Sequence, residues 1–296
     1  MIVDPMRVFV TVIEQKNFTR AAEILNISQP NVSLHIRNLE NELGMKLIHR
    51  SPKYVKITEA GEILYRHAKK ILQTYEEAIQ EINDLRHVVT GHLRIGASFT
   101  VGEYLLPRVL ADYAAQFPLV DVEIIISNTE EVISSIQANE LDIGLIEGEA
   151  SHSELQIEAF MEDEMFVVVP PNHPLSQGLF IAPDLMQNQT WIFREPGSGT
   201  RTFMDKLIST LHLSIKNSYV FNSNQGVLEA VKAGLGIALL SHWVVDDEIT
   251  TNKVKALSLK NHKIKRTFST VQKMEAEETK AKKMFIQKLL HFCMNI

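Results

Sequence analysis

The sequence predicts an α/β protein in three parts. These are a mostly helical, winged helix-turn-helix head at residues 1–58, a long helix with a hinge at 59–90, and a two-lobed α/β region at 91–296. Three observations carry this. Two short helical stretches joined by a tight turn fill Thr19 to Leu39. An apolar seam recurs at alternating steps of four and three residues from Leu64 to Leu85. From His92 onward, strand-like and helix-like segments alternate.

In the head, MRVFVTVIE from Met6 to Glu14 gives a first helix with Phe9 and Ile13 on one side. Thr19 is the expected N-cap of a second helix, in which Ala21 and Ala22 are small enough for another helix to cross closely. Asn26 to Gln29 breaks that helix. Ser28 then caps a third, with Pro30 in its first turn, where a missing N–H is harmless. Val32, Ile36 and Leu39 form its core stripe. The other face carries Gln29, Asn31, Ser33, His35 and Arg37, side chains of the kind that read base edges and hold phosphates. Leu34, roughly 200° round from Val32, points away from the core. It is either a contact for a thymine methyl or an ordinary surface leucine.

Lys46 to Thr58 reads as a hairpin turning at Ser51–Pro52, whose Arg50, Lys53 and Lys56 form either a phosphate-gripping wing or a solvated loop. Glu59 to His87 is one helix, roughly forty ångströms long at ~1.5 Å per residue. Its seam of Leu64, Ala68, Ile71, Tyr75, Ala78, Ile82 and Leu85 is long for the small domain before it, which favours pairing with a second copy over packing on its own head.

From Met6 to Gly61 the chain resembles the amino-terminal domain of LysR-type transcriptional regulators. The shared pattern comprises Ala21–Ala22, Ser28-Gln29-Pro30, Val32–Ser33, Ile36, Leu39–Glu40, Leu43–Gly44, Leu47, Arg50, Thr58 and Ala60–Gly61. Leu34 and His35 stand where many members carry Arg and Gln. The resemblance implies a homodimer or homotetramer whose paired linker helices place two heads on a dyad-symmetric promoter. Arg20, Ser28 and Pro30 then join the reading face, and a small co-inducer closes the lobes, relaxes DNA bending and lets RNA polymerase engage, as in an activator.

Val88 to Gly91 is the expected hinge. Beyond it, strands are expected at His92–Ser98, Asp121–Ser127 (fully buried) and Leu141–Ile146, with helices at Glu103–Phe117 and Thr129–Asn139. A second set runs through Met165–Pro170, Trp191–Phe193, Tyr219–Phe221 and Gly236–Leu240, with helices near Thr200–Leu211 and Gly226–Ala233. Phe268–Gln272 and a helix over Glu275–Phe292 return to the first lobe. Repeated βαβ units imply a parallel sheet. Lobe I is expected at about 91–162 and 268–296, and lobe II at about 163–267. This layout resembles the effector domain of the same family, itself similar to periplasmic solute-binding proteins.

Ligands of open α/β sheets bind beyond the carboxyl ends of strands, at helix N-termini. Those ends supply Ser98 and Thr100, Asn128, Glu147 and Gly148, the run Gly197-Ser198-Gly199-Thr200-Arg201, and Gln225. In the Pro196–Arg201 run, glycines let backbone approach a ligand, hydroxyls donate, and Arg201 can neutralise an anion. The alternative is a capped loop with Arg201 paired to Glu195. Family branches regulating sulfur assimilation or carbon fixation carry similar segments, which implies a small anion or a sulfur metabolite.

Composition sets outer bounds. The head holds eight Lys/Arg against five acids, so the remainder of a chain of net charge −6 carries −9. A basic head on an acidic body suits oriented DNA binding. No apolar run approaches the ~18 residues that span a bilayer. The opening MIVDPMRVFV does not read as a signal peptide, and the lone Cys293 fits a reducing cytosol. No G-x-S-x-G, H-E-x-x-H, C-x-x-C or P-loop spacing occurs, so neither enzyme, metal nor cofactor is expected. The competing reading is a solute-binding sensor without promoter-specific regulation.

Overall fold

Apolar residues at helical spacing close the head around one core. The computed structural model describes residues 4–51, 54–84, 88–148, 152–260, 263–275 and 278–295, and the chain divides into two units, Met1–Val88 and Val89–Ile296. Helix α1 (Asp4–Gln15) buries Val8, Phe9 and Val12. Helix α2 (Phe18–Ile24) buries Ala21 and Ala22. Its N-cap is Asn17 rather than Thr19: Asn17 Oδ1 accepts the N–H groups of Thr19 at 2.8 Å and Arg20 at 3.0 Å, because Asn can serve two donors of the first turn. Helix α3 (Gln29–Leu43) is capped by Ser28 Oγ, which accepts the Asn31 N–H, and ends at Gly44 in the left-handed conformation.

Strands β1 (Ile48–Ser51) and β2 (Tyr54–Ile57) form the antiparallel hairpin. Helix α4 (Glu59–Asp84) follows. Thr58 Oγ1 donates to the Lys46 carbonyl at 2.7 Å and accepts the Gly61 N–H at 3.0 Å. A side chain at Gly61 would collide with the Leu47 carbonyl and Ile57, so only glycine lets α4 start this close to the hairpin.

The seam on α4 is divided, which corrects the sequence reading. Ala68 is wholly buried in the head's own core beside Leu72, and Leu64 and Tyr75 pack against it. Tyr65 donates to Glu14, and Arg7 pairs with Glu76, tying α4 to α1. Ile71, Ala78, Ile79 and Ile82 stay exposed, and Leu85 lies outside the described residues. At 3.6 residues per turn, Ile71 falls about 100° from Leu72, so one helix carries two apolar stripes.

The second unit begins with β3 (Gly91–Ser98), a π-helical turn at Val101–Leu105, α5 (Leu106–Gln116), β4 (Val120–Ser127), α6 (Thr129–Gln137) and β5 (Ile143–Glu147). β3 is parallel to both β4 and β5. β4 is not the buried strand expected. It is the sheet edge, and Ile124, Ile125 and Ile126 are about two-fifths exposed, at 43%, 42% and 39%. Then come β6 (Leu155–Val169), β7 (Phe180–Ile181), β8 (Gln189–Arg194), α7 (Gly199–Thr210), β9 (Ile215–Phe221), α8 (Asn224–Lys232), β10 (Ala238–Ser241), α9 (His242–Thr250), β11 (Lys255–Leu259), β12 (Ile264–Lys273) and α10 (Lys280–Met294).

The main sheet runs β4-β3-β5-β12-β6-β11-β7, with β10 also on β6. It is mixed rather than parallel. β12 is antiparallel to β5 and β6, and β10 and β11 are antiparallel to β6. The reason is that β6 and β12 are paired crossing strands, running from Leu155 opposite Lys273 in the first lobe to Met165 opposite Ile264 in the second. Parallel β8 and β9 join through a bridge from Trp191 to Ile237. Helix α10 returns to the first lobe, where the Tyr113 hydroxyl donates to the Ala281 carbonyl at 2.9 Å and Phe285 meets Tyr113 edge-on.

Candidate functional site

Two surfaces collect the polar residues singled out from the sequence, one in each unit. On the head, Ser28, Gln29, Pro30, Asn31 and Arg37 are exposed, Ser33 and His35 are half-buried, and Leu34 is 50% exposed. All stand off the core stripe of Val32, Ile36 and Leu39. Gln29 Nε2 donates to Ser33 Oγ at 3.1 Å, which braces two polar side chains of this face one turn apart. Arg20 is exposed and pairs with Glu23 at 3.1 Å, and Lys56 is exposed on the hairpin. Lys53 and the Arg50 side chain lie outside the described residues.

In the second unit, the ends of β3 and β5 and the start of α7 meet the crossing strands at a buried charge cluster. Arg266 on β12 is its centre, with a side chain 1% exposed. Its Nη1 donates to Glu147 Oε2 at 2.5 Å and to Thr200 Oγ1 at 2.8 Å, its Nη2 to Thr100 Oγ1 at 3.1 Å, and its Nε to Asp163 Oδ2 at 2.7 Å. Glu147 also accepts the Thr100 N–H at 2.7 Å and the Thr200 hydroxyl at 3.0 Å. Ser241 donates to Asp163 at 2.6 Å. Asn224 links Thr100 to Arg194, which pairs with Glu195 and lies over the Phe99 ring.

Burial alone pushes the Glu147 carboxyl up, but Arg266 and the Thr100 and Thr200 hydrogen bonds outweigh it and hold Glu147 below the usual carboxylate range. At Asp163 burial wins over Arg266 and Ser241, and the carboxyl is raised. Burial works against the Arg266 charge, but the two carboxylates more than restore it.

Beside this cluster opens a cleft of about 660 Å³. Thr129, Glu130, Ile133 and Ser134 of α6 line one wall and Gly199, Thr202, Phe203 and Lys206 of α7 the other, with Glu147, Gly148, Lys265, Arg266 and Thr267 at the base. Gly197 and His152 complete the rim. The N-termini of α6 and α7 face one another here, since the Glu130 N–H donates to the Gly197 carbonyl at 3.1 Å. A side chain at Gly199 would run into the Glu147 backbone, so the lobes touch directly.

The expected ligand residues therefore divide. Thr100, Glu147 and Thr200 converge in the charge cluster, and Gly148, Gly197 and Gly199 line the cleft. Ser98 is buried, and its hydroxyl finds no partner. Ser198 caps α7 by position, and the Asn128 side chain is spent on the Glu131 N–H of α6. Gln225 bonds Glu229. Arg201 is bound neither to Glu195 nor to the cleft. Helical i,i+4 spacing gives it Asp205 at 2.9 Å, and it stacks over Phe193. The sequence reading missed Arg266, Asp163, Asn224, Thr202 and Lys206. Arg266 shares a strand face with the buried Ile264 and Phe268, and Asp163 with Met165 and Val167, so strand period was the available signal.

A helix-turn-helix head joined to a two-lobed domain with a polar cleft defines a DNA-binding regulator with a ligand-sensing domain. Comparison with known proteins gives the family. Residues 3–62 match the bacterial regulatory helix-turn-helix protein model of the lysR family, and residues 86–293 match the LysR substrate binding domain. The chain is 44% identical, over 98% of its length and 97% of the other, to the HTH-type transcriptional regulator CysL of Bacillus subtilis (strain 168). It is 31% identical to a probable RuBisCO transcriptional regulator of Phaeodactylum tricornutum, covering 96% and 94% of the two chains. The regulatory domain of CcmR from Synechocystis PCC6803, solved with 2-PG, superposes with a TM-score of 0.64 at 23% identity, covering 69% of this chain and 98% of that one. The chain belongs to the LysR family and is a LysR-type transcriptional regulator with an effector-binding domain. No helix among the described residues is long and apolar enough to cross a membrane.

Proposed function

We propose that two copies of this regulator bind dyad-symmetric promoter DNA in the cytoplasm and respond to a small anionic effector held between the lobes. Gln29, Asn31, Ser33, Leu34, His35 and Arg37 read the major groove. Arg20, Ser28 and Pro30 fit the helix against the backbone, and Arg50, Lys53 and Lys56 grip flanking phosphates. The exposed stripe of Ile71, Ala78, Ile79 and Ile82 supports pairing through α4. The exposed isoleucines of edge strand β4 offer a second self-contact, which would allow a tetramer.

The effector reading rests on the cleft itself. Two helix N-termini, the hydroxyls of Thr129, Ser134, Thr202 and Thr267, and the cations Lys206, Lys265 and Arg266 surround it, against the acids Glu130 and Glu147. The small ligand on the CcmR regulatory domain supports an effector of this size. Effector binding alters contact with RNA polymerase as in an activator, and no turnover is assigned.

A panel of sulfur oxyanions and small phosphorylated acids, screened by thermal shift on the full-length protein, tests this. Thr202→Val and Lys206→Ala should abolish the shift while promoter retention from genomic fragments is unchanged. An undiminished shift in both variants sinks the cleft assignment. On the head, Leu34→Ala should weaken the retained promoter by roughly 1–2 kcal/mol and spare non-specific DNA. Equal loss on both would make Leu34 a simple surface residue.

A further inference from the structure

The cleft already holds an anion of its own. The Thr100 N–H opens the helical segment after β3 in one lobe, and the Thr200 hydroxyl lies in the first turn of α7 in the other. Arg266 reaches the same point from a crossing strand. These donors converge at 2.7 Å, 3.0 Å and 2.5 Å on one carboxylate, that of Glu147, whose side chain is 2% exposed. An amide, a hydroxyl and a guanidinium aimed at one buried point are what a free oxyanion needs to be held without water.

We propose that Glu147 is a tethered occupant of an oxyanion seat made by Thr100, Thr200 and Arg266, and that it sets specificity by keeping small free oxyanions out of that seat. The effector is then left the adjoining cleft. Three observations favour this. Arg266 is shared between Glu147 and Asp163, so a further anion on it would meet two buried carboxylates and one cation. Gly199 lays the start of α7 on the Glu147 backbone, so Glu147 is held from both lobes as a bridging ligand would be. Glu147 and Arg266 also form part of the cleft wall, so a ligand in the cleft borders the seat without entering it.

The inference rests on the cleft reading above, but its test uses neither promoter nor effector, so either can fail alone. Full-length wild type, Glu147→Gly and Glu147→Ala are titrated with sodium formate and sodium sulfate against sodium chloride of equal ionic strength. Melting temperature and the fluorescence of Trp191 and Trp243 are followed. Wild type should respond to formate and sulfate no more than to chloride. Glu147→Gly should melt lower in chloride and be restored toward wild type by saturating formate, and adding Thr200→Val should remove the rescue. A folded Glu147→Gly indifferent to formate overturns the proposal, because a carboxylate needed only for packing leaves no seat behind. So does wild-type oxyanion binding that Thr200→Val weakens. If Glu147→Gly does not fold even in formate, Glu147→Ala, which also empties the seat, decides. Sulfate affinity raised about tenfold or more over wild type supports the seat, and unchanged affinity overturns it.

Discussion

Among the described residues, each unit of this regulator buries one glutamate, and the two do different work. In the head, Glu40 near the end of α3 accepts the Leu47 N–H at 3.0 Å, the Ile48 N–H at 3.4 Å and the Lys46 ammonium at 2.6 Å. Its partners lie within eight residues of it, and its task is to fasten the hairpin to the recognition helix. In the second unit, the partners of Glu147 lie 47 to 119 residues away and come from both lobes and a crossing strand. Desolvation must be offset at both sites, locally at Glu40 and by global topology at Glu147. A buried charge held by neighbours in sequence is scaffold. One held by distant segments couples those segments, and it stands where a ligand can compete.

The comparison is tested most severely at Arg266. Arg266→Leu strands two buried carboxylates and should cost about 3–5 kcal/mol, read by urea unfolding through Trp191 and Trp243, with the head's circular dichroism transition unmoved. A loss below about 1 kcal/mol would mean that Glu147 and Asp163 are not charged together. Glu40→Ala is the counterpart in the head. It leaves two buried N–H groups unpaired, about 2–4 kcal/mol, and should weaken promoter retention while the tryptophan-reported transition stays in place. Parallel loss in both transitions would break the division of labour.

The smallest effect is in pH. Glu40 and Glu147 both have lowered pKa values. Their contribution is present above the ordinary value of 4.5 and disappears as pH falls through their folded-state values. Asp163 is raised and has the opposite sign, since it gains a proton more readily when folded. The stability gap between wild type and Glu147→Gln should therefore shrink below pH 4.5, and likewise for Glu40→Gln.

Much of the head could be read in advance because its determinants are local. The core stripe of α3, the Ser28 cap, the hairpin and the close approach at Gly61 each depend on residues a few positions apart. Even there, the N-cap went to Asn17 rather than Thr19 two positions on, in line with the stronger capping preference of Asn. In the second unit, strand and helix alternation located β3, β5, α6, α7 and α8, but not the first half of β6, α9 or β11. The β6 segment LQIEAFMEDE has no long apolar run, because its side chains stay mostly exposed or half-buried and the strand is held by backbone pairing with β12. Edge and centre were also indistinguishable, because DVEIIIS reads as a buried strand and only the strand order shows that β4 has one neighbour.

The sequence by itself determined the helix-turn-helix head and the α/β region that follows it, the polar face of α3, the family, and the loops at strand ends from which Thr100, Glu147 and Thr200 come. The tertiary structure alone decided what those residues do. It brought Arg266 and Asp163 in from the crossing strands, turned Arg201 to Asp205, and gave half of the α4 seam to the head's own core. Period and propensity act over a few residues, whereas a buried charge is satisfied by whatever the topology carries to it, and here that means a partner 119 positions along the chain.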